Sequence, residues 1–159
     1  MQVRIKKLNE KAVVPQYAKK GDSGMDLTAT SKYYDEYGNI CYGTGLAFEI
    51  PQGYVGLVFP RSSTSHKQMV LANCVAVIDS GYRGEVVMKF KPSLALKSNQ
   101  CVTDVLTYGV YKVGERIAQM VIMPYPPIEF VEVEELSQTE RGGSGYGSTD
   151  KKEVIYGRD

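Results

Sequence analysis

The chain has 159 residues, enough for one compact domain with a buried core. Nineteen basic side chains face eighteen acidic ones, so no net field exists to hold long nucleic acid or an anionic membrane, although a small anionic ligand needs only a few local charges. Three cysteines, Cys41, Cys74 and Cys101, are odd in number and lack metal-ligand spacing, which reads as reduced thiols in a cytosolic protein rather than a disulfide or zinc framework.

In chain order, residues 1–7 alternate basic and apolar side chains without the apolar run of a signal peptide, and no segment approaches the length of a membrane span. The first polar cluster is Ser23-Gly24-Met25-Asp26-Leu27, an acid at the start of an apolar stretch; alone, it reads as a solvated turn acid. Residues 31–42 hold four tyrosines, Tyr33, Tyr34, Tyr37 and Tyr42, suited to an edge or an interface. Residues 54–59 form a short apolar run closed by Pro60, which predicts a buried strand. Directly after it, Pro60-Arg61-Ser62-Ser63-Thr64-Ser65 sets a guanidinium and a row of hydroxyls at a strand end. Such donors suit phosphate oxygens, and an ordinary polar loop is the plainer alternative. His66, the single histidine, has no acid or nucleophile close in sequence and reads as a surface residue.

Residues 73–84 end an apolar strand on Asp79, turn at Ser80-Gly81 and continue with Tyr82. A carboxylate there can orient and deprotonate a water or bind a sugar hydroxyl; it can equally be a turn Asp capping its own backbone. Residues 85–90 alternate, with Val86, Met88 and Phe90 on one face and Glu85 and Lys89 on the other. Residues 91–111 carry no motif. Arg116 opens the apolar run 117–123, and Gln119 lies inside it; a buried amide needs partners, across the sheet or on a ligand. Pro124, Pro126 and Pro127 end that run, and Val131 and Val133 alternate with Glu132 and Glu134 as a further short strand.

From Thr139 the composition changes. Residues 141–149, Arg-Gly-Gly-Ser-Gly-Tyr-Gly-Ser-Thr, are too poor in apolar side chains to join a core and predict a mobile arm over 139–159 beside a core over 1–138. Glycines let successive N–H groups curl around an anion, with Arg141, Ser148 and Thr149 as further donors, but neither a Walker loop nor a Rossmann fingerprint is present. No window offers an amphipathic helix of three turns. Many short strands with frequent turns predict an all-β sandwich or barrel, the jelly-roll type included.

Each cluster is weak alone, but together and in this order the five resemble the motifs of the trimeric dUTPases, from Ser23 to Thr149. Residues 44–62 resemble the same family between its first two motifs, and Ile-Asp-Ser-Gly-Tyr-Arg-Gly and the run 141–149 are the most specific matches. The resemblance implies jelly-roll subunits in a homotrimer, with sites shared among the chains, and Mg2+-dependent hydrolysis of dUTP to dUMP and pyrophosphate by water attack at the α-phosphorus. It implies that the main chain of Ala76, Val77 and Ile78 and the amide of Asn73 read uracil, that Tyr82 lies against the deoxyribose, and that Asp79 binds the 3′-OH and acts as general base. Arg61, Ser62, Ser63, Arg116 and Gln119 would hold the phosphates, and Asp26 would touch the metal through water. A neighbouring subunit's arm would close the site, with Tyr146 stacked on uracil and Arg141, Gly147, Ser148 and Thr149 at the γ-phosphate.

The sequence departs from the family in places. Ala76 stands where Gly is usual, Tyr146 replaces Phe, and Asp150 stands where the arm often ends in Gly. The stretch between Gly84 and Gly114 is longer than in compact members, as in phage members with an insertion there; a viral source would place the protein in a host cytoplasm. Residues 151–159 run past the usual end. The nearest rival of the same fold, a dCTP deaminase, needs a glutamate where Lys89 stands. From another class, the alternative is a dUTPase-like regulator that uses the nucleotide to switch binding of a partner protein. No nucleic-acid or membrane partner is expected.

Overall fold

The computed structural model describes residues 1–93 and 109–144. Ten strands carry them: β1 (Arg4–Lys7), β2 (Met25–Thr28), β3 (Tyr33–Tyr34), β4 (Ile40–Gly43), β5 (Leu46–Glu49), β6 (Tyr54–Pro60), β7 (Met69–Leu71), β8 (Ala76–Ile78), β9 (Val87–Pro92) and β10 (Arg116–Pro124). The one helical element among the described residues is a 3-10 turn, Ser62–His66. All pairings are antiparallel. One four-stranded sheet runs β2-β10-β6-β8, a second runs β3-β4-β9-β7, and β1 pairs with β5. The protein is therefore all-β, as its strand pattern and turn spacing predict.

Alternation sets which face is buried. Val86, Met88 and Phe90 point inward, and Lys89 points out. Tyr42 and Phe90 of one sheet join Leu27, Val58, Ile117 and Met120 of the other in a single apolar cluster, so the two sheets share one core. Each such side chain contributes about 1.5–3 kcal/mol on burial. The run 54–59 is less uniformly buried than its composition suggests: Gly56 and Val58 are inside, while its neighbours are half-exposed. A run of apolar residues on an outer face needs a further layer to cover it, and period-two geometry turns every second residue away from the core.

The long strand β10 carries an irregularity that matters for the site. Its pairing with β2 shifts register between Arg116 and Ala118, and Ile117 and Ala118 are both buried. In a regular strand Arg116 and Gln119, three residues apart, would face opposite ways. The extra residue re-aims the strand, so that both side chains serve one surface.

Contacts divide the chain into two units, Met1–Pro127 and Ile128–Asp159. Composition drew the boundary later, at 138/139, where glycine content rises. The expected strand around Val131 and Val133 is absent: residues 128–137 form neither strand nor helix, and Phe130 and Val131 are exposed. Alternation is only half of a strand, since a strand also needs a hydrogen-bonded neighbour. Residues 139–144 form two successive turns, in which Arg141 Nε donates to the Ser144 carbonyl at 3.2 Å.

Candidate active site

Two surface cavities in the first unit gather most of the sequence-singled residues. The first, about 380 Å3, is lined by Asn73, Ala76, Val77, Ile78, Asp79 and Tyr82 together with residues from β9 and its approach. It exists because β7 belongs to one sheet and β8 to the other. The chain crosses between them at Cys74, whose φ of 59° lies in the left-handed region and costs a residue with a Cβ roughly 1–2 kcal/mol. Asn73 accepts the Val75 N–H at 2.6 Å through its carbonyl, which leaves its exposed side-chain amide outward.

Among the described residues β8 pairs with β6 on one side only, in the register Val58↔Ala76, Leu57↔Val77 and Gly56↔Ile78. Its other edge presents unpaired main-chain donors and acceptors, the groups that can read the edge of a base. Ala76 fits this strand without a left-handed backbone, so its methyl does not distort the edge.

Asp79 follows directly and is exposed. No described residue donates to its carboxylate. The turn after it is held by other groups: Tyr82 N–H donates to the Asp79 carbonyl at 3.1 Å, and Arg83 NH1 donates to the carbonyls of Ser80 at 2.6 Å and Tyr82 at 2.9 Å. Asp79 is thus no cap for its own turn. Tyr82 folds over the loop, its hydroxyl donating to the Glu85 carbonyl at 3.0 Å. Gly84 leaves room for it in this position, because a Cβ there would meet the tyrosine ring.

The second cavity, about 470 Å3, is lined by Asp26, Arg61, Arg116 and Gln119 with Gly24 and residues of the preceding loop. Asp26 and Gln119 are directly opposite on β2 and β10. Arg61 Nε donates to Asp26 Oδ1 at 2.6 Å, and Arg116 NH1 donates to Oδ2 at 3.1 Å. Two guanidiniums on one carboxylate leave a local charge of about +1, and most of their N–H groups remain available to an oxyanion. Gln119 Nε2 donates to the Pro60 carbonyl at 3.0 Å, so the amide is cross-strand paired and still faces the cavity. Gly24 allows this: a Cβ there would sit 2.7 Å from Gln119 Oε1. Ser62 and Ser63 stand on the adjacent 3-10 turn, with Ser63 Oγ accepting from Arg61 NH1 at 3.2 Å. His66, at the end of that turn, is exposed, in line with a surface role.

The two cavities share no lining residue. The sequence-singled residues therefore fall into two groups, one of those expected to meet base and sugar and one of those expected to meet phosphate. Arg141 lies in the second unit, and Tyr146, Gly147, Ser148 and Thr149, with the departure at Asp150, lie outside the described residues. Sequence reasoning missed Tyr33, Glu85, Val87 and Lys89 as lining of the first cavity. The alternation of Glu85 and Lys89 had placed them off the core face, but the hairpin they would meet depends on sheet order. Lys89 donates to Asp35 at 3.0 Å across the sheet.

Known proteins resemble this chain in sequence and in fold. The sequence profile of the dUTPase family matches residues 10–150. A deoxyuridine 5′-triphosphate nucleotidohydrolase of Nautilia profundicola is 42% identical over 153 residues, covering 95% of this chain and all of that one. One from a Hydrogenobaculum species is 39% identical over 155 residues, covering 96% of this chain and all of its own. Among solved structures, the dUTPase of Staphylococcus bacteriophage 80alpha with dUpNHpp superposes with a TM-score of 0.75 at 29% identity, covering 92% of this chain and 97% of that one; its description assigns phage dUTPases control of virulence-gene transfer by a G protein-like mechanism. A variant dUTPase from phage phi11 of S. aureus, described with a coordinated structural Mg(II) ion, has a TM-score of 0.69 at 28% identity, covering 85% and 98%.

Proposed function

The chain belongs to the dUTPase family and hydrolyses dUTP, and from that premise we propose how its residues divide the work. The observation that carries the assignment is the unheld carboxylate of Asp79, at the end of an edge strand and in one cavity with Tyr82. Asp79 binds the 3′-OH and takes a proton from the water that attacks the α-phosphorus, with pyrophosphate leaving. The open edge of Ala76, Val77 and Ile78, with the amide of Asn73, pairs with the uracil edge. Cytosine presents a donor at N4 where uracil has the O4 acceptor, and an acceptor at N3 where uracil has a donor, and a mispaired buried edge is worth ~10⁴-fold or more in discrimination. Tyr82 packs against the deoxyribose and leaves no room for a 2′-OH.

Arg61, Ser62, Ser63, Arg116 and Gln119 bind the phosphate chain in the second cavity. The donor set fits a cation held from outside. Asp26 is a single carboxylate already bridged by two guanidiniums, and no group of three His, Cys, Asp or Glu side chains able to hold a metal occurs among the described residues. Asp26 would contact Mg2+ through its water shell, with phosphate oxygens as direct ligands, as a hard ion that dehydrates reluctantly prefers. Bound there, the ion supplies neutralisation of charge on the phosphates.

One nucleotide draws on more than one copy of the chain, and a homotrimer closes three such sites. The neighbouring arm supplies Arg141, Tyr146, Gly147, Ser148 and Thr149 and excludes water other than the nucleophile. The test is a turnover panel of nucleoside triphosphates with Mg2+, scored for pyrophosphate and for ammonia. Pyrophosphate from dUTP alone is expected; ammonia from dCTP would point to the deaminase reading. A second, regulatory role is favoured by the likeness to the phage 80alpha enzyme; capture of a partner protein only in the presence of dUpNHpp would support it.

A further inference from the structure

Tyr111 takes no part in the assignments above, yet it lies directly beneath the phosphate-binding turn. The turn Ser62–His66 is five residues of 3-10 geometry, buries no side chain, and begins at Arg61 without a side-chain cap; such short pieces rarely stand alone. Its internal bonds are Thr64 N–H to the Arg61 carbonyl at 2.9 Å, Lys67 N–H to the Thr64 carbonyl at 2.9 Å and Ser65 Oγ to the Ser62 carbonyl at 2.6 Å. Residues 109–111 tie it to the rest of the fold. Gln68 N–H donates to the Gly109 carbonyl at 2.6 Å, and Lys67 Nζ donates to the Val110 carbonyl at 3.4 Å. The Tyr111 hydroxyl lies 2.8 Å from Thr64 Oγ1 and 3.4 Å from Ser63 Oγ.

That hydroxyl has little freedom. Tyr111 is 2% exposed, and its ring meets the edges of Tyr42 at 6.3 Å and Phe90 at 5.9 Å between centroids. Tyr42 Oη donates to the Tyr111 carbonyl at 2.8 Å, and the Lys67 ammonium sits 4.8 Å from the centroid of the Tyr111 ring. A rigid core ring thus projects one polar atom onto the hydroxyls of the turn. From there a bonded chain continues: Ser63 Oγ accepts from Arg61, and Arg61 donates to Asp26.

We propose that Tyr111 is a positioning residue whose hydroxyl fixes the Ser62–Ser63–Thr64 turn, and with it the Arg61 guanidinium, for the triphosphate. The assignment rests on the placement of the phosphates at this turn. Without the hydroxyl the turn samples other orientations, and each productive encounter selects the competent one, so substrate binding weakens.

The test is Tyr111→Phe, which keeps the buried ring, its aromatic contacts and the cation above it. The KM for dUTP is expected to rise about three- to tenfold, the order of one lost hydrogen bond, with kcat within about twofold of wild type. Deoxyuridine, which lacks phosphates, should inhibit both proteins equally. Thr64→Val should give a similar rise, and the double variant should be no worse than the stronger single. An unchanged KM, additive effects in the double variant, or equal weakening of deoxyuridine would overturn the proposal. If Tyr111→Phe does not fold, Thr64→Val alone carries the test by the same KM and deoxyuridine comparison. Wild-type turnover of dUTP tests the underlying reading separately.

Discussion

Asp79, proposed above as the general base, has a side chain with almost no structural role. Its turn is closed by Tyr82 and Arg83, and no described residue bonds its carboxylate. Asp79→Asn should therefore leave the melting temperature unchanged, since exposed substitutions away from such contacts shift stability within about 0.5 kcal/mol. The amide can still bond the 3′-OH but cannot accept a proton from water. Turnover of dUTP should fall by about 10²–10⁴, while dUpNHpp still binds with reduced affinity in calorimetry. Near-normal turnover would sink the general-base assignment. Cys74 illustrates the opposite case, a residue whose side chain has no assigned chemistry but whose backbone, at a φ of 59°, lets the chain change sheets.

At the scale of elements, Asp35 ties the β3–β4 turn to β9. Its carboxylate accepts from Asn39 Nδ2 at 2.9 Å, from the backbone N–H groups of Asn39 at 2.9 Å and Tyr37 at 3.1 Å, and from Lys89 Nζ at 3.0 Å. The Asn39 side chain, then Lys89, then the two backbone donors hold its pKa well below the usual carboxylate range, and Asp35 in turn raises that of Lys89. A carboxylate depressed on folding binds fewer protons in the native state. Its contribution is therefore present above the unfolded value, near pH 4, and is lost as the pH falls below that. The melting temperature of the wild type should fall as the pH drops below about 4. Asp35→Asn should flatten that acid limb and lower the melting temperature at pH 7. An acid limb of unchanged steepness in the variant would show that other carboxylates control it. Lys89, at the position where a deaminase needs a glutamate, is thus occupied as the partner of Asp35.

For the whole molecule, the homotrimer proposed above makes activity depend on assembly. Light scattering should report a trimer, and an active monomer would contradict the shared-site arrangement. The arm gives an independent test. Residues 141–144 are exposed, and their described hydrogen bonds run to residues 139–144, so the chain from Arg141 onward adds little to a core. The truncated protein should melt near the wild-type temperature and remain a trimer, yet turn over dUTP far more slowly, because the stacking ring and γ-phosphate donors are gone. Tyr146→Ala should lose only part of the activity. Full activity without the arm would refute closure, and a collapsed melting temperature would give the tail a structural role instead.

The sequence alone determined the all-β class, the inward set Val86, Met88 and Phe90, and the polar clusters that line the two cavities, because side-chain alternation, turn residues and ordered polar clusters are local properties of the chain. Alternation misled at Val131 and Val133, since pairing is a property of two strands and residues 128–137 form no strand. Only the tertiary structure decided which clusters meet. Sheet order put Asn73 through Tyr82 opposite β9 and left one edge of β8 open. A register shift in β10 turned Arg116 and Gln119 to the same side, against the parity of their spacing. Packing brought the motifless Tyr111 under the phosphate turn. Each of these depends on residues far apart in sequence whose proximity is fixed by strand pairing and core burial, and no local pattern encodes it.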